Sequence, residues 1–219
     1  LTYAELDSAS DAVAVWLRRT AAVRAEEPVG LGVERSVEAM IGMLGIFKAG
    51  AAYVPLVPDL PPNRLARLAA EAGVRTVVTL GSLRHLYPFA AHTLPLDEPL
   101  PAPTSRMSLE PAAHALAYVL FTSGSTGVPK GVAVTHDNLA EYTRSVAEVL
   151  DIDLADEQRS LSFGWVSTVG ADLGHTVVYP ALASGGCLHV IPPAVATDAA
   201  AYGDYVASRP LDVVKLTPS

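Results

Sequence analysis

The chain has 219 residues, half of them hydrophobic and 17% charged, which is enough to bury a large core as one big domain or two small ones. A formal net charge of -8 offers no basic stripe, so nucleic acid is excluded as a bulk partner and any anionic ligand must be held by local donors. A single cysteine, Cys187, rules out an internal disulfide and suits a reducing cytoplasm.

Thr2 and Glu5 have capping-box spacing ahead of a periodic helix that runs to roughly Arg19. Residues 29 to 33 predict a strand. Ser36 caps a second helix that Gly50 ends, and Tyr53 to Val57 is extended. The longest apolar stretch, Met40 to Leu56, is broken by Lys48 and several glycines, so it predicts neither a membrane span nor a signal peptide. Pro62 opens a third helix that stops at Gly73, and Val74 to Leu80 predicts a buried strand. A Pro-rich connection follows from about Leu94 to Pro111.

The segment Leu120 to Val132 reads L-F-T-S-G-S-T-G-V-P-K-G-V. Leu116 to Leu120 predicts a buried strand and Gly131 to Val134 opens another apolar run, so the polar residues between them form a strand-to-strand turn. Such a turn suits a polyphosphate. Gly124 and Gly127 let backbone amides approach closely, the hydroxyls of Thr122, Ser123, Ser125 and Thr126 donate to phosphoryl oxygens, and Lys130 adds a charge-assisted contact. The spacing differs from the Gly-x-x-x-x-Gly-Lys-Ser/Thr loop of P-loop NTPases, because Pro129 intervenes and no helix follows at once. A plain Ser/Gly linker is the alternative. A linker, however, has no reason to end in Pro-Lys-Gly and re-enter an apolar strand.

A helix is predicted from near His136 and Asp137, with His136 assigned to capping in preference to catalysis. A strand at Ser160 to Phe163, a helix near Gly174 to Ala183, a strand at Leu188 to Ile191, a helix around Asp198 to Ser208 and a strand at Val213 to Leu216 complete the chain. Cys187 is expected as a buried strand thiol rather than a nucleophile. Strands alternating with helices predict an α/β fold with mostly parallel sheets covered by helices.

The loop resembles the ATP-binding signature of the adenylate-forming enzymes, which include acyl-CoA synthetases, luciferases and the adenylation domains of nonribosomal peptide synthetases. Leu1-Thr2-Tyr3-Ala4-Glu5-Leu6 is similar to the first core motif of the peptide synthetase branch, Phe47 to Leu56 to its second, and Ala117 to Gly131 to its third. The resemblance implies that residues 1–219 are part of the large N-terminal subdomain, with interlocked lobes meeting around 94–111 at an internal crossover. It also implies that the C-terminal subdomain, with its catalytic lysine, is absent. The chain opens at Leu1 inside a motif and closes just after an apolar run, so a fragment that is inactive alone is expected.

Tyr179-Pro180-Ala181-Leu182 is similar to the family's Phe-Pro-x-Leu anchor, which places Asp172 on the aspartate that binds the substrate α-ammonium. A carboxylate at the mouth of an apolar pocket pairs well with an ammonium. Capping of the helix near Gly174 is an equally available role for Asp172. The same ungapped alignment puts further pocket positions on Leu173, Thr176 and Lys215, in an order that looks like the opening of a pattern for aspartate or asparagine. Lys215 as a solvent-facing strand residue remains the alternative, and His175 is unassigned. Two departures stand out: Ala171 replaces the usual phenylalanine, which implies a different placement of carboxylate or AMP, and Val57 replaces a frequent aspartate.

The implied activity is ATP-dependent conversion of an amino acid to its aminoacyl adenylate, followed by loading onto the phosphopantetheine thiol of a peptidyl carrier protein beside neighbouring synthetase domains. Mg²⁺ is implied, with its ligand outside this chain and no metal ligand within it. A ligase for a keto, aryl or fatty acid and a non-catalytic structural half of an interrupted module are the competing readings. The expected setting is cytoplasmic, with no membrane partner.

Overall fold

In the computed structural model, residues 1–100, 112–122, 129–155 and 160–217 are described, and they divide into two compact units, Leu1–Asp137 and Asn138–Ser219.

The first unit is built on a six-stranded sheet in the order β4-β3-β1-β2-β5-β6. Its strands are β1 (Pro28–Gly32), β2 (Ala52–Pro55), β3 (Thr76–Thr79), β4 (His92–Pro95), β5 (Leu116–Thr122) and β6 (Lys130–Thr135). The first five run parallel and β6 pairs antiparallel with β5. β2 and β3 are buried at every position, as central strands covered on both faces should be.

Helix α1 (Tyr3–Arg19) starts as predicted. Thr2 Oγ1 accepts from the Glu5 amide at 3.2 Å while Glu5 Oε2 accepts from the Thr2 amide at 2.7 Å. Helix α2 (Val37–Lys48) is capped by Ser36 Oγ, which accepts from the Ala39 amide at 3.1 Å. The two helices pack closely because Gly45 has no side chain: a Cβ there would lie 2.5 Å from Val13 Cβ. Lys48, at the last turn of α2, reaches back to Asp7 and Asp11 of α1. Helix α3 (Pro62–Ala72) opens with Pro62 and ends at Gly73 in the left-handed region, φ 72°.

Two features of this unit lie outside the predicted elements. Gly81–Leu86 forms a 3-10 turn, and β4 occupies residues within and just before the stretch expected as a Pro-rich connection. Because β4 and β5 belong to one sheet, the chain between them crosses that sheet from its edge to the far side of β2. Residues 101–111 of that crossing lie outside the described residues.

The second unit contains helix α4 (His136–Val149), which starts at the end of the first unit, and a three-stranded parallel sheet in the order β8-β7-β9. Its strands are β7 (Ser162–Trp165), β8 (Cys187–Val190) and β9 (Val213–Val214). A 3-10 turn at Asp172–Gly174 leads directly into α5 (His175–Ala183), and α6 (Pro193–Ala196) and α7 (Ala199–Ser208) connect β8 to β9. Asp198 Oδ1 caps α7 through the Ala201 amide at 2.7 Å. Phe163, Trp165, Val177, Val178, Ala181 and Ile191 form the buried centre.

Three sequence expectations need correction here. β7 sits two residues later than predicted. Cys187 is on a strand but is exposed rather than buried, because it opens an edge strand directly after the Gly185-Gly186 turn. β9 stops at Val214, so Lys215 and Leu216 follow the strand instead of belonging to it. Among the described residues no helix is long and apolar enough to cross a membrane.

Candidate active site

Within the first unit, the candidate phosphate-binding residues sit at the open end of the β5–β6 hairpin. Thr122 ends β5, Lys130 begins β6, and the two are register partners, with Thr122 Oγ1 donating to the Lys130 carbonyl at 3.4 Å. Both side chains are exposed. β5 runs parallel to β2, so this end of the hairpin lies at the carboxyl edge of the sheet, where open parallel sheets take their ligands. Ser123, Gly124, Ser125, Thr126 and Gly127 lie outside the described residues. The structure therefore brings together Thr122 and Lys130.

His136 sits at the other end of the same ladder, since it follows Thr135, the partner of Leu116. A strand pair of this length separates it from Thr122 by about 20 Å. Its backbone amide donates to the Ala115 carbonyl at 2.9 Å and its ring meets Phe47 edge-on at 4.9 Å. Nε2 is buried without a partner among the described residues, and burial holds the imidazole below its ordinary pKa against the opposing charge of Asp137. His136 is thus the first residue of α4, its ring packed on Phe47 at the end of the ladder away from Thr122.

A cavity of about 430 Å³ opens at the opposite, amino-terminal edge of this sheet, lined by Arg24, Glu27, Gly73, Arg75, Thr76 and His92 among others. None of the sequence-predicted site residues lines it.

The second unit places its candidates by topology. In the order β8-β7-β9 the chain leaves the carboxyl end of β7 towards β8 on one side, and β9 returns on the other. The carboxyl ends of β7 and β9 mark the switch point at which such sheets bind ligands. Asp172, Leu173 and Thr176 come from the segment after β7. Lys215 comes one residue after Val214, whose partner is Gly164, one step before the end of β7. Residues separated by some forty positions are thus delivered to one edge by adjacent strands.

Burial singles out the same residues. Along 172–180 only Asp172, Leu173 and Thr176 reach solvent, whereas Gly174, His175 and Val177 to Pro180 are buried. Asp172 does not cap α5: the cap position is Gly174 and no side-chain cap bond is made there. Asp172 instead begins the 3-10 turn, its carbonyl accepting from the His175 amide. Its carboxylate is exposed and directed by no cap, which leaves it available to a cationic partner. Lys215 is also exposed.

The floor beneath this turn is tight. A Cβ at Gly174 would lie 2.5 Å from Trp165 Nε1, so only glycine lets the turn settle onto that indole. His175 packs edge-on to Tyr179 at 5.0 Å, and burial lowers its imidazole to about 4 against the opposing pull of Asp172. At neutral pH it is an uncharged core residue. Thr176 points the other way and shares a hydrogen bond with Tyr142 of α4 at 2.8 Å. The sequence gives no hint of this bond, because it depends on α4 lying beside α5.

Among the described residues no three His, Cys, Asp or Glu side chains converge as a metal site would require.

Residues 1–219 match the family described as AMP-binding enzyme. A linear gramicidin synthase of Brevibacillus parabrevis is 39% identical over 198 residues, covering 88% of this chain and 4% of that protein. Among solved structures, a four-domain nonribosomal peptide synthetase bound to AMP and glycine superposes with a TM-score of 0.85 at 26% identity, covering 98% of this chain and 16% of that one. The N-terminal subdomain of Klebsiella oxytoca NpsA in complex with 3-hydroxybenzoyl-AMSN gives a TM-score of 0.78 at 26% identity, covering 96% of this chain and 52% of that one. The chain thus spans a small part of the length of the gramicidin synthase it matches.

Proposed function

The chain belongs to the AMP-binding enzyme family and has the α/β fold of the N-terminal subdomain of peptide synthetase adenylation domains, and from that premise we propose that it serves to activate an amino acid as its aminoacyl adenylate. The observation that carries this reading is the exposed, uncapped carboxylate of Asp172 at the switch point of the β8-β7-β9 sheet. A site of this kind accepts an ammonium group that lies next to the carboxyl group undergoing activation.

In the proposed reaction a substrate carboxylate oxygen attacks the α-phosphorus of ATP in line. The bond from that phosphorus to the oxygen bridging it to the β-phosphate breaks, and pyrophosphate leaves. Catalysis consists mostly of positioning and of neutralising charge on the phosphates. Thr122 and Lys130 frame the turn that holds the β and γ phosphates, with Ser123, Gly124, Ser125, Thr126 and Gly127 completing it. Mg²⁺ would be held chiefly through phosphate oxygens, which suits a chain whose donors here are hydroxyls, amides and one ammonium. Asp172 pairs with the substrate α-ammonium, and Leu173, Thr176 and Lys215 face its side chain. A cationic Lys215 favours a side-chain carboxylate or carboxamide, hence aspartate or asparagine. The acyl group then passes to the phosphopantetheine thiol of a peptidyl carrier protein within the larger synthetase.

A ligase for a keto, aryl or fatty acid is the second reading, supported by the likeness to NpsA in complex with a hydroxybenzoyl compound. Asp172 weighs against it, since a substrate without an amine would leave that carboxylate unpaired beneath it. ATP–pyrophosphate exchange by the intact enzyme across a panel of acids decides between them. Strongest turnover is expected with aspartate or asparagine, and preference for a deaminated acid would overturn the assignment of Asp172.

A further inference from the structure

Resting on the pocket reading above, we propose that Tyr142 is a positioning residue for substrate selection: its hydroxyl ties down the Thr176 hydroxyl so that its free donor or acceptor site is presented to a polar substrate side chain. Tyr142 lies on α4 and its oxygen is 2.8 Å from Thr176 Oγ1, with either atom able to donate. Thr176 follows Asp172 by four residues, through a 3-10 turn that passes directly into α5, and both residues reach solvent while His175 and Val177 are buried.

A free threonine hydroxyl rotates and offers a donor and two acceptor sites without preference. Bonding to Tyr142 fixes it. When the phenol donates to Thr176, the threonine proton is left for a substrate acceptor such as a carboxylate or carboxamide oxygen. When the phenol accepts instead, Thr176 keeps both acceptor sites for a substrate donor. The pair therefore reads a polar side chain of either sense and gives nothing to an apolar one.

The backbone supplies a reason for a tether at this point. Pro180 sits inside α5 and carries no amide hydrogen, so the helical donor that would reach the Thr176 carbonyl is missing. The turn that bears Thr176 lacks one of its own main-chain bonds and is held from outside by α4. Tyr142 itself is 42% exposed, and removing its hydroxyl leaves no buried group unpaired at the ring.

The test uses the intact enzyme in pyrophosphate exchange, with KM measured separately for the preferred amino acid and for ATP. Tyr142→Phe is expected to raise the amino acid KM about five- to tenfold, the effect of one lost hydrogen bond, with the ATP KM and the melting temperature unchanged. Thr176→Val is expected to do the same, and the double variant to be no worse than Thr176→Val alone, because the two hydroxyls act as one unit. Thr176→Ser, which keeps the hydroxyl, retains most of the affinity. Tyr142→Phe without effect on the amino acid KM, with equal effects on both substrates, or with an effect that adds in full to Thr176→Val would overturn the positioning role. In that case a selective amino acid defect in Asp172→Ala and Thr176→Val leaves the pocket reading standing. If those two variants also spare the amino acid KM, the pocket reading fails and this proposal fails with it.

Discussion

Lys48 Nζ lies 2.8 Å from Asp11 Oδ1, and the Asp11 side chain is 6% exposed. The same ammonium contacts Asp7 Oδ1 at 2.5 Å and the Asp7 carbonyl at 2.8 Å, so one lysine at the end of α2 fastens two turns of α1. Such an ion pair contributes little net stability when both partners are present, but losing one partner strands a buried charge.

Lys48→Met should therefore destabilise the domain by about 3 kcal/mol, measured by urea unfolding. Lys48→Met combined with Asp11→Leu should recover most of that loss. A double variant as unstable as the single one would mean that the ammonium acts through Asp7 instead.

Gly45→Ala sets two effects against each other. Alanine gains about 1 kcal/mol in helix propensity, but its Cβ would lie 2.5 Å from Val13 Cβ, and overpacking of this kind costs about 1–3 kcal/mol. The steric cost is expected to prevail. Adding Val13→Ala should relieve the clash, and failure of that relief in thermal unfolding would place the conflict elsewhere.

The depressed pKa of His175 has a defined consequence for acid stability. Its folded value is about 4 against an ordinary 6.5, so above pH 6.5 both states are neutral and the group is silent. As the pH falls below 6.5 the unfolded chain takes up a proton that the folded one refuses, and stability drops by up to about 1.4 kcal/mol per pH unit until about pH 4. His175→Phe should remove this component from the unfolding profile between pH 6.5 and 4. An unchanged profile would show that His175 titrates freely.

Lys130→Ala and Asp172→Ala should separate the two substrates. Lys130 is exposed at the start of an edge strand, so its removal is expected to leave the melting temperature unchanged while raising the ATP KM about tenfold or more, as for a charge-assisted contact. Asp172→Ala should raise the amino acid KM and spare that for ATP. Equal losses in both KM values for Asp172→Ala would point to a structural part for this residue.

Helix starts and stops were legible because local chemistry sets them. Thr2 with Glu5, Ser36, Pro62, Gly73 and Asp198 each do in the structure what their residue type predicts. The buried strands β1 and β3 were legible from their apolar runs. β4 was not, because a four-residue edge strand that begins with an exposed histidine and ends with proline shows no alternation. The exposure of Cys187 was hidden for a related reason: its apolar neighbours say strand, but only the sheet order says edge. At the candidate site, Asp172, Leu173 and Thr176 were legible as a motif. Lys215 came from the same alignment, but its place at the carboxyl edge of the sheet follows from β9 pairing with β7, and the Tyr142–Thr176 bond depends on α4 meeting α5, neither of which any local pattern encodes.

Strand β5 pairs with β2 through Tyr53 and Tyr118, across a longer stretch of chain than separates β1 from β2 or from β3. Contacts between residues so distant along the polypeptide form slowly, because the intervening chain must first be ordered. The strand that leads into the proposed phosphate-binding turn is thus expected to join the sheet after β1, β2 and β3 have already assembled. In pulse-labelled hydrogen exchange during refolding, amides of β5 should gain protection later than those of β1, so that the capacity to bind ATP matures after most of the scaffold.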